Sequence, residues 1–258
     1  LYMMPMRVMS GTLSEYILAA VPLFIFMGTM MQTSGVAERA FQVLHKWMSG
    51  VNGGLSVATV ILAILFAATT GVVGASETAI GLLAVPAMLN ARYSQSLASG
   101  CICAGGTLGI LIPPSIMLIL YAPMAGVSVI QMFAGAIIPG LLLGIAYIAY
   151  ILIRCAINPE LGPALPPSER LKFLSKESLV MGFKYLVPPS LLVALVLGSI
   201  FFGVASPTEA GAVGSIGATL LSLIYKQLTW AAFKENCYIT IRITAMIIFI
   251  ALAANLFT

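Results

Sequence analysis

Two stretches of this chain carry the residue types that hold ions and small solutes inside a membrane. They are residues 70–78 (TGVVGASET) and residues 105–115 (GGTLGILIPPS), and both concentrate Gly, Pro and hydroxyl residues between apolar runs. Irregular backbone at membrane depth persists only where protein buries it or where it lines a watery cavity. Paired interruptions of this kind indicate the ion and substrate site of a secondary transporter.

The first stretch offers oxygen ligands around Gly74, Ser76, Glu77 and Thr78. Backbone carbonyls and hydroxyls suit a hard cation such as Na⁺, and the N-terminus of the following half-helix suits an anionic group of a solute. The alternative is structural, because small residues also let helices pack closely.

Glu77 is treated separately because a carboxylate at this depth is costly and is functional by default. Three interpretations stay open: a cation ligand, a titrating group, or a residue of the first helical turn that the helix dipole stabilises. We favour a structural or indirect electrostatic role, since capping alone would place a Glu in a first turn.

The second stretch combines Gly105, Gly106 and Thr107 with Pro113, Pro114 and Ser115. The two prolines remove backbone donors and free carbonyl groups one turn earlier. A simple proline kink would explain the prolines without any ligand. It does not explain the glycines and the threonine that precede them, so the pattern favours a binding site.

The composition describes a polytopic membrane protein. Of 258 residues, 60% are hydrophobic and 8% are charged, whereas soluble domains carry about 25% charged residues. The absence of a basic patch interleaved with aromatic residues gives no support to nucleic-acid binding. The chain starts without a cleavable signal and ends inside an apolar run, so we expect a fragment.

Catalytic and metal-binding patterns are not found. The single histidine, His45, stands in a basic segment that we expect to be a solvated loop, and no nucleophile–base pair accompanies it. The four cysteines lack metal-ligand spacing, and we expect them to behave as small apolar residues. We therefore predict no enzyme activity and no cofactor other than Na⁺ as a coupling ion.

Apolar runs predict the layout of an all-α fold, because a span needs about 20 apolar residues. The segment 55–89 has a short second arm, residues 79–89, and this favours a re-entrant hairpin over two crossings. The predicted elements are a scaffold helix (14–34), the hairpin (55–89), a broken helix (97–124), and further spans at 129–153, 185–204, 207–225 and 238–258.

The distribution of charge supports this layout. Connections 122–128 and 205–206 are uncharged, whereas the other loops are basic, and Arg7 is the one exception. All the basic loops fall on one side if the hairpin returns to the side it entered, and the positive-inside rule makes that side cytoplasmic.

The polar stretch 154–184 divides the chain into two halves. We expect a cytoplasmic linker there, with residues 171–183 as a helix lying at the membrane interface. A weak repeat supports the halves, because residues 20–28 (AVPLFIFMG) are similar to residues 244–252 (TAMIIFIAL). The first repeat would then be 1–153, and the second would start at 185 and stop before its own hairpin.

Residues 206–209 (SPTE) form a capping box with Pro at the first helical position, which predicts a helix start after residue 205. A structural role suffices for Glu209.

Together, five motifs resemble the large membrane subunit of tripartite ATP-independent periplasmic (TRAP) transporters, over nearly the whole chain. They are residues 22–28 (PLFIFMG), 74–79 (GASETA), 105–115 (GGTLGILIPPS), 139–142 (PGLL) and 206–210 (SPTEA).

The resemblance implies an elevator-type carrier built from two inverted repeats, in which Na⁺ drives the uptake of small organic acids. It also implies a periplasmic solute-binding protein, a small membrane subunit that braces the scaffold, and a place in the bacterial inner membrane. The first Na⁺ site and half of the substrate site would be formed by the tip around Gly74, Ser76 and Thr78 and by the break around Gly105, Gly106 and Thr107.

The expected function is thus the large permease subunit of a Na⁺-coupled importer of a small carboxylate. Two alternatives stay open: a single-component ion-coupled anion transporter without a binding protein, and a non-transporting membrane scaffold or enzyme. The sequence does not identify the solute, the oligomeric state or a fusion to the small subunit.

Overall fold

A computed structural model describes residues 16–71, 73–164 and 176–257 of the chain, and all regular structure in these ranges is helical. This confirms the all-α prediction. After a short 3₁₀ turn at Tyr16–Ala19, the helices are α1 Ala20–Thr33, α2 Val36–Met48, α3 Gly54–Thr70, α4 Val73–Asn90, α5 Gln95–Leu111, α6 Ile116–Met124, α7 Val129–Ile157, α8 Lys176–Phe201, α9 Pro207–Ile224 and α10 Trp230–Phe257.

Within the described ranges, four helical segments are long and apolar enough to cross a membrane, and a bent pair raises the number to five. That pair is α5 and α6, which meet at 43° across the Pro-rich break. The predicted broken helix is therefore present, but its break is confined to residues 112–115. Residues 105–111 are helical, so the expectation that the interruption begins at Gly105 was wrong.

Helices α3 and α4 form the predicted hairpin, but its turn lies earlier than expected. Helix α3 ends at Thr70 and α4 already begins at Val73, so residues 74–78 are helical and the expectation of an irregular tip there was wrong. The second arm has 18 residues, and its length therefore does not distinguish a re-entrant hairpin from two crossings. Gly71 provides the left-handed conformation (φ +58°) that ends α3.

The segment between α1 and α3, which we expected to be a loop, is an amphipathic helix. In α2 the buried residues Val36, Ala40, Phe41 and Leu44 follow helical spacing, so one face packs inward and the other is polar. His45 belongs to this helix and stacks on Phe41 with ring centroids 6.0 Å apart. Its side chain is half-buried, so His45 does not lie in a solvated loop.

The predicted polar linker is partly helical. Helix α7 runs to Ile157, beyond the expected end at 153, and α8 begins at Lys176 and continues unbroken to Phe201. Residues 176–183 are thus the first turns of a long helix and not a separate interfacial one; residues 165–175 lie outside the described ranges. Trp47 of α2 packs on Gly182 of α8, so the amphipathic helix α2 contacts the first turns of α8.

Hydrogen bonds hold the basic connections together at one end of the molecule. The Gly53 N–H donates to the Gly162 carbonyl (2.8 Å), and the Ser94 N–H donates to the Leu161 carbonyl (3.0 Å). Both ends of the hairpin are therefore tied to the segment that follows α7. The Leu55 N–H also donates to the Tyr93 hydroxyl (3.2 Å) and closes the base of the hairpin directly.

The uncharged connections meet at the opposite end. Pro123, Val127, Ser128 and Pro207 line one cavity of about 320 Å³. This confirms that the uncharged loops share a side, while Arg7 lies outside the described residues. The capping box is also present: the Ser206 N–H donates to Glu209 Oε2 (2.7 Å), and the Glu209 N–H donates to Ser206 Oγ (3.3 Å).

The buried apolar side chains form two clusters. One joins the hairpin and α5 to α2 and the end of α7, and it includes Phe66, Ile80 and Leu108. The other joins α1, α8 and α9 to α6 and the start of α7, and it includes Phe24 and Ile116. The break between α5 and α6 is thus also the junction of two cores.

The cysteines are all unpaired, as expected of small side chains, but their burial varies. Cys101 and Cys155 are buried and Cys237 is half-buried, whereas Cys103 is exposed on α5. Cys103 thus departs from the burial that is usual for free cysteines.

Candidate functional site

The two interrupted segments meet in space. A Cβ atom placed at Gly71, in the hairpin turn, would lie 3.0 Å from the Ile116 nitrogen and 3.2 Å from the Pro114 carbonyl oxygen. The hairpin turn therefore rests on the break between α5 and α6 with no room for a side chain. The lengths of α3 and α5 explain why the hairpin turn and the break lie at the same level. Each helix has 17 residues, about 26 Å at 1.5 Å per residue, and both start at the basic end.

Four helix termini converge at this contact. Helices α3 and α5 end here and leave carbonyl groups without helical partners, while α4 and α6 begin here and leave N–H groups without partners. Carbonyl ends attract a cation, and N–H ends attract an anion. The arrangement can hold both kinds of charge within a small volume.

The hydroxyls of the first stretch are already engaged within α4 or buried. Thr78 Oγ1 donates to the Gly74 carbonyl (2.7 Å), and both residues are exposed. Ser76 is 2% exposed. Because α4 begins at Val73, Glu77 lies in the second turn, and the interpretation of Glu77 as a first-turn capping residue was wrong.

Glu77 contacts the second stretch directly. The position of a Cβ atom at Gly106 is occupied by the side chain of Glu77, with its Cγ and Oε1 nearest. Gly106 is buried and Glu77 is half-buried. A side chain at residue 106 would therefore displace the carboxylate of Glu77 from α5.

Two other glycines of α5 serve helix packing. A Cβ atom at Gly105 would lie 2.7 Å from Ala63 Cβ, and one at Gly109 would lie 3.9 Å from Ala67 Cβ. Gly105 and Gly109 are four residues apart on α5, as are Ala63 and Ala67 on α3. The two helices therefore pack closely through small residues, as membrane helices commonly do. For Gly105 the structural interpretation is therefore sufficient. Thr107 is exposed, and its Oγ1 donates to the Ala104 carbonyl (2.7 Å).

The break itself is fully buried. Pro113, Pro114 and Ser115 all lie inside the protein, and Ser115 is 0% exposed. The Ser115 hydroxyl has no hydrogen-bond partner among the described residues. A buried hydroxyl without a partner is unfavourable unless something else binds it.

A cavity of about 590 Å³ opens beside the hairpin turn. Gly71 and Gly74 line it together with Ile116 and Tyr121 of α6 and with Met246 of α10. The walls are almost entirely apolar.

The oxygen-rich donor set fits a hard cation. Across the described ranges, no three His, Cys, Asp or Glu side chains are grouped so as to hold a metal ion. The available donors are backbone carbonyls and hydroxyls, which are the ligands that Na⁺ sites in broken helices use.

Sequence reasoning missed one charged residue inside the membrane. Arg242 lies on α10, in an apolar run that continues to residue 254, and it is exposed. The signal was available, because an ionisable residue inside an apolar run is unusual.

Comparison with known proteins places the chain in one family. The sequence profile described as "Tripartite ATP-independent periplasmic transporter, DctM component" matches residues 2–258. A C4-dicarboxylate TRAP transporter large permease protein of Pseudomonas aeruginosa is 34% identical over 95% of this chain and 56% of its own length. A protein of the same description from Vibrio cholerae is 38% identical over 86% of this chain and 48% of its own length.

Relatives described for other solutes are nearly as similar. An ectoine/5-hydroxyectoine TRAP transporter large permease protein of Ruegeria pomeroyi is 32% identical over 92% of this chain and 54% of its own length. The chain thus spans about half the length of the curated relatives it matches. It is a multi-pass, non-enzymatic membrane protein, and it belongs to the large permease (DctM) component family of the TRAP transporters.

Proposed function

We propose that this chain forms the first Na⁺ site and half of the substrate site in the large permease subunit of a Na⁺-coupled importer of a small carboxylate. The observation that carries the proposal is the contact of Gly71 with Pro114 and Ile116. It brings carbonyl ends for a cation and N–H ends for an anion to one place.

In this proposal Na⁺ binds oxygen atoms near the hairpin turn and the break, with the buried hydroxyl of Ser115 as a candidate ligand. Ser76, Thr78, Gly106 and Thr107 belong to the same region and stay candidates. The carboxylate of the solute would face the N-termini of α4 and α6.

Movement in the proposed elevator mechanism would take place between two bodies. The hairpin and the broken helix would shift together relative to the scaffold and carry Na⁺ and solute. Support comes from the two separate apolar cores. Ile116 and Ile119 of α6 pack in the cluster formed with α1, α8 and α9. The contacts of these two residues would therefore have to change during the movement.

The proposed partners are a small membrane subunit and a periplasmic solute-binding protein, and the proposed location is the bacterial inner membrane. The relatives have names that describe tripartite transporters. A single-component transporter, the earlier alternative, would need neither partner.

The test is reconstitution of the full-length protein with both partners in liposomes. Uptake of radiolabelled succinate, a C4-dicarboxylate, and of radiolabelled ectoine would be measured with and without an inward Na⁺ gradient. We expect uptake of at least one solute to require the gradient and the binding protein. Uptake indifferent to Na⁺ would contradict the coupling, and uptake without the binding protein would favour the single-component alternative.

A further inference from the structure

Glu77 is the only charged side chain that the sequence places in the membrane part of the hairpin and the broken helix. Between residues 54 and 124 there is one other charge, Arg92, and it lies in the turn between α4 and α5 at the basic end. Arg92 is about 22 Å from Glu77 along a helix at 1.5 Å per residue. One carboxylate therefore sets the charge of this region.

The carboxylate lies well inside the membrane. Helix α4 begins at Val73, so Glu77 is about 6 Å beyond the start of the helix. Among the described residues, no hydrogen bond or ion pair joins Glu77 to another side chain, and this includes Arg242 of α10. A carboxylate at this depth is costly, and such groups commonly act on ions or solutes.

Packing holds Glu77 beside the cavity of the candidate site. Its side chain lies against Gly106 of α5 and is half-buried, whereas Gly74 and Thr78 on the same helix are exposed. Gly74, about one turn away, lines the cavity of about 590 Å³. The negative charge therefore acts on the cavity at short range, and the apolar walls screen it only weakly.

Opposite charges follow one another along α4. The free N–H groups at the start of the helix carry a partial positive charge, and Glu77 carries a full negative charge about 6 Å further on. The proposed function places the carboxylate of the solute at the N-termini of α4 and α6. Because the two carboxylates of a small dicarboxylate are only a few carbon atoms apart, the second one would stay within the repulsive field of Glu77.

We propose that Glu77 selects solutes by charge, so that the permease accepts small solutes with a single carboxylate and disfavours dicarboxylates of the same length. The inference rests on the proposed function, which supplies the place for the first carboxylate. Like-charge repulsion discriminates against a competitor without any additional contact to the preferred solute. In this role Glu77 determines specificity, and the α4 and α6 N-termini provide the attraction.

The first test compares matched solutes on the native protein. The full-length permease and its small membrane subunit are placed in lipid nanodiscs without the binding protein, whose own selectivity then makes no contribution. The solutes are malonate, succinate and glutarate, each paired with its monoamide, which has the same length and one carboxylate fewer. Binding in Na⁺ buffer is measured from the rise in melting temperature over a series of solute concentrations.

We expect at least one monoamide to bind about tenfold more tightly than its parent dicarboxylate, which is the effect of a like charge within about 10 Å at an effective dielectric constant of about 20. Equal or tighter binding of the dicarboxylate in every pair would overturn the proposal, and so would the absence of binding by all six solutes. This comparison does not depend on the folding of a variant.

The second test removes the charge and keeps the size of the side chain. Glu77→Gln is compared with Glu160→Gln, because Glu160 is exposed after α7 at the basic end. We expect Glu77→Gln to make dicarboxylate and monoamide bind equally, and Glu160→Gln to leave the tenfold preference unchanged.

A preference that survives Glu77→Gln would overturn the proposal; this is also the result if a bound Na⁺ or a basic residue already cancels the charge of Glu77. A merely structural role would weaken the binding of both members of a pair by the same factor, and that result would overturn it as well.

The two proposals fail in different ways. A charge preference that Glu77→Gln removes, in a protein whose uptake is indifferent to Na⁺, would contradict the proposed function alone. Uptake that requires Na⁺ and the binding protein, together with tighter binding of dicarboxylates, would contradict the role of Glu77 alone.

Discussion

The side chain of Glu77 lies against the backbone of Gly106, at a position where α5 has no side chain of its own. This contact joins residues 70–78 to residues 105–115. It lies more than one helical turn along α4 from the hairpin turn at Gly71. It gives Glu77 a defined place between two helices. It also makes residue 106 sensitive to any added atom.

We expect Gly106→Ala to impair Na⁺-driven uptake strongly, because the new methyl group would displace Glu77. Gly100→Ala on the same helix is the control, since a Cβ atom there meets nothing within 4 Å. Uptake by the reconstituted full-length protein is the measurement. Normal uptake by Gly106→Leu, a larger change, would show that our site assignment is wrong.

Gly71→Ala tests the contact between the hairpin turn and the break. Its φ of +58° costs an alanine about 1–2 kcal/mol, and the new Cβ atom would also press on Ile116. Gly126→Ala has a similar φ of +65° but meets nothing within 4 Å. We expect a larger fall in thermal stability, and a loss of uptake, only for Gly71→Ala. If both variants lost stability and uptake equally, backbone strain alone would account for the effect of Gly71→Ala.

Ser115→Ala separates ligand binding from folding. The buried hydroxyl has no protein partner among the described residues, so its removal should leave the melting temperature unchanged or slightly higher. We expect the Na⁺ concentration for half-maximal uptake to rise. Ser99→Ala, at an exposed position of α5, should alter neither quantity. An unchanged Na⁺ dependence in Ser115→Ala would remove Ser115 from the proposed site.

The hydrogen bond between Asn236 and Thr33 should stabilise the packing of α10 on α1. A double-mutant cycle with Asn236→Leu and Thr33→Val, measured by unfolding in mixed detergent, should give a coupling of about 0.6–1.7 kcal/mol. Thr29→Val is the control partner, because among the described residues the Thr29 hydroxyl donates to the Phe26 carbonyl of its own helix and not to α10. Coupling as large with Thr29→Val would argue against a specific bond.

Tyr93→Phe should destabilise the base of the hairpin by about 1–3 kcal/mol, because it leaves the buried Leu55 N–H without an acceptor. Tyr150→Phe, at a residue 60% exposed on α7, is the control. Thermal unfolding in detergent gives the comparison. A loss equal to that of the control would mean that the Leu55 N–H finds another acceptor.

The same tyrosine predicts a dependence on alkaline pH. Tyr93 lies in the turn between α4 and α5, and burial raises the pKa of its hydroxyl above the ordinary value of 10.0. The unfolded chain then loses this proton before the folded one does, so the contribution is complete below pH 10 and declines as the pH rises further. The decline above pH 10 should be smaller in Tyr93→Phe.

The sequence predicted the helices well where their apolar runs are long and end at clear signals. The capping box at Ser206 and the end of the break at Ser115 placed helix starts correctly. The start of that break was placed too early, at Gly105, because the helix continues through the glycines to Leu111. The amphipathic helix α2 was missed because its mixed composition is typical of a polar loop. The hairpin turn was placed at the glycine nearest the hydroxyl residues, Gly74, instead of at Gly71, because residue type alone does not reveal which glycine adopts a positive φ.

Composition and local pattern determined that this protein is a helical membrane protein with two interruptions, since lipid leaves no other way to satisfy the peptide groups. Only the tertiary structure decided which residues of the interruptions meet. Gly71 rather than Gly74 lies on the break, Glu77 contacts Gly106, and Gly105 serves packing. The physical reason is that contact between helices depends on their lengths, depth and rotation, and these are fixed by packing between segments distant in sequence.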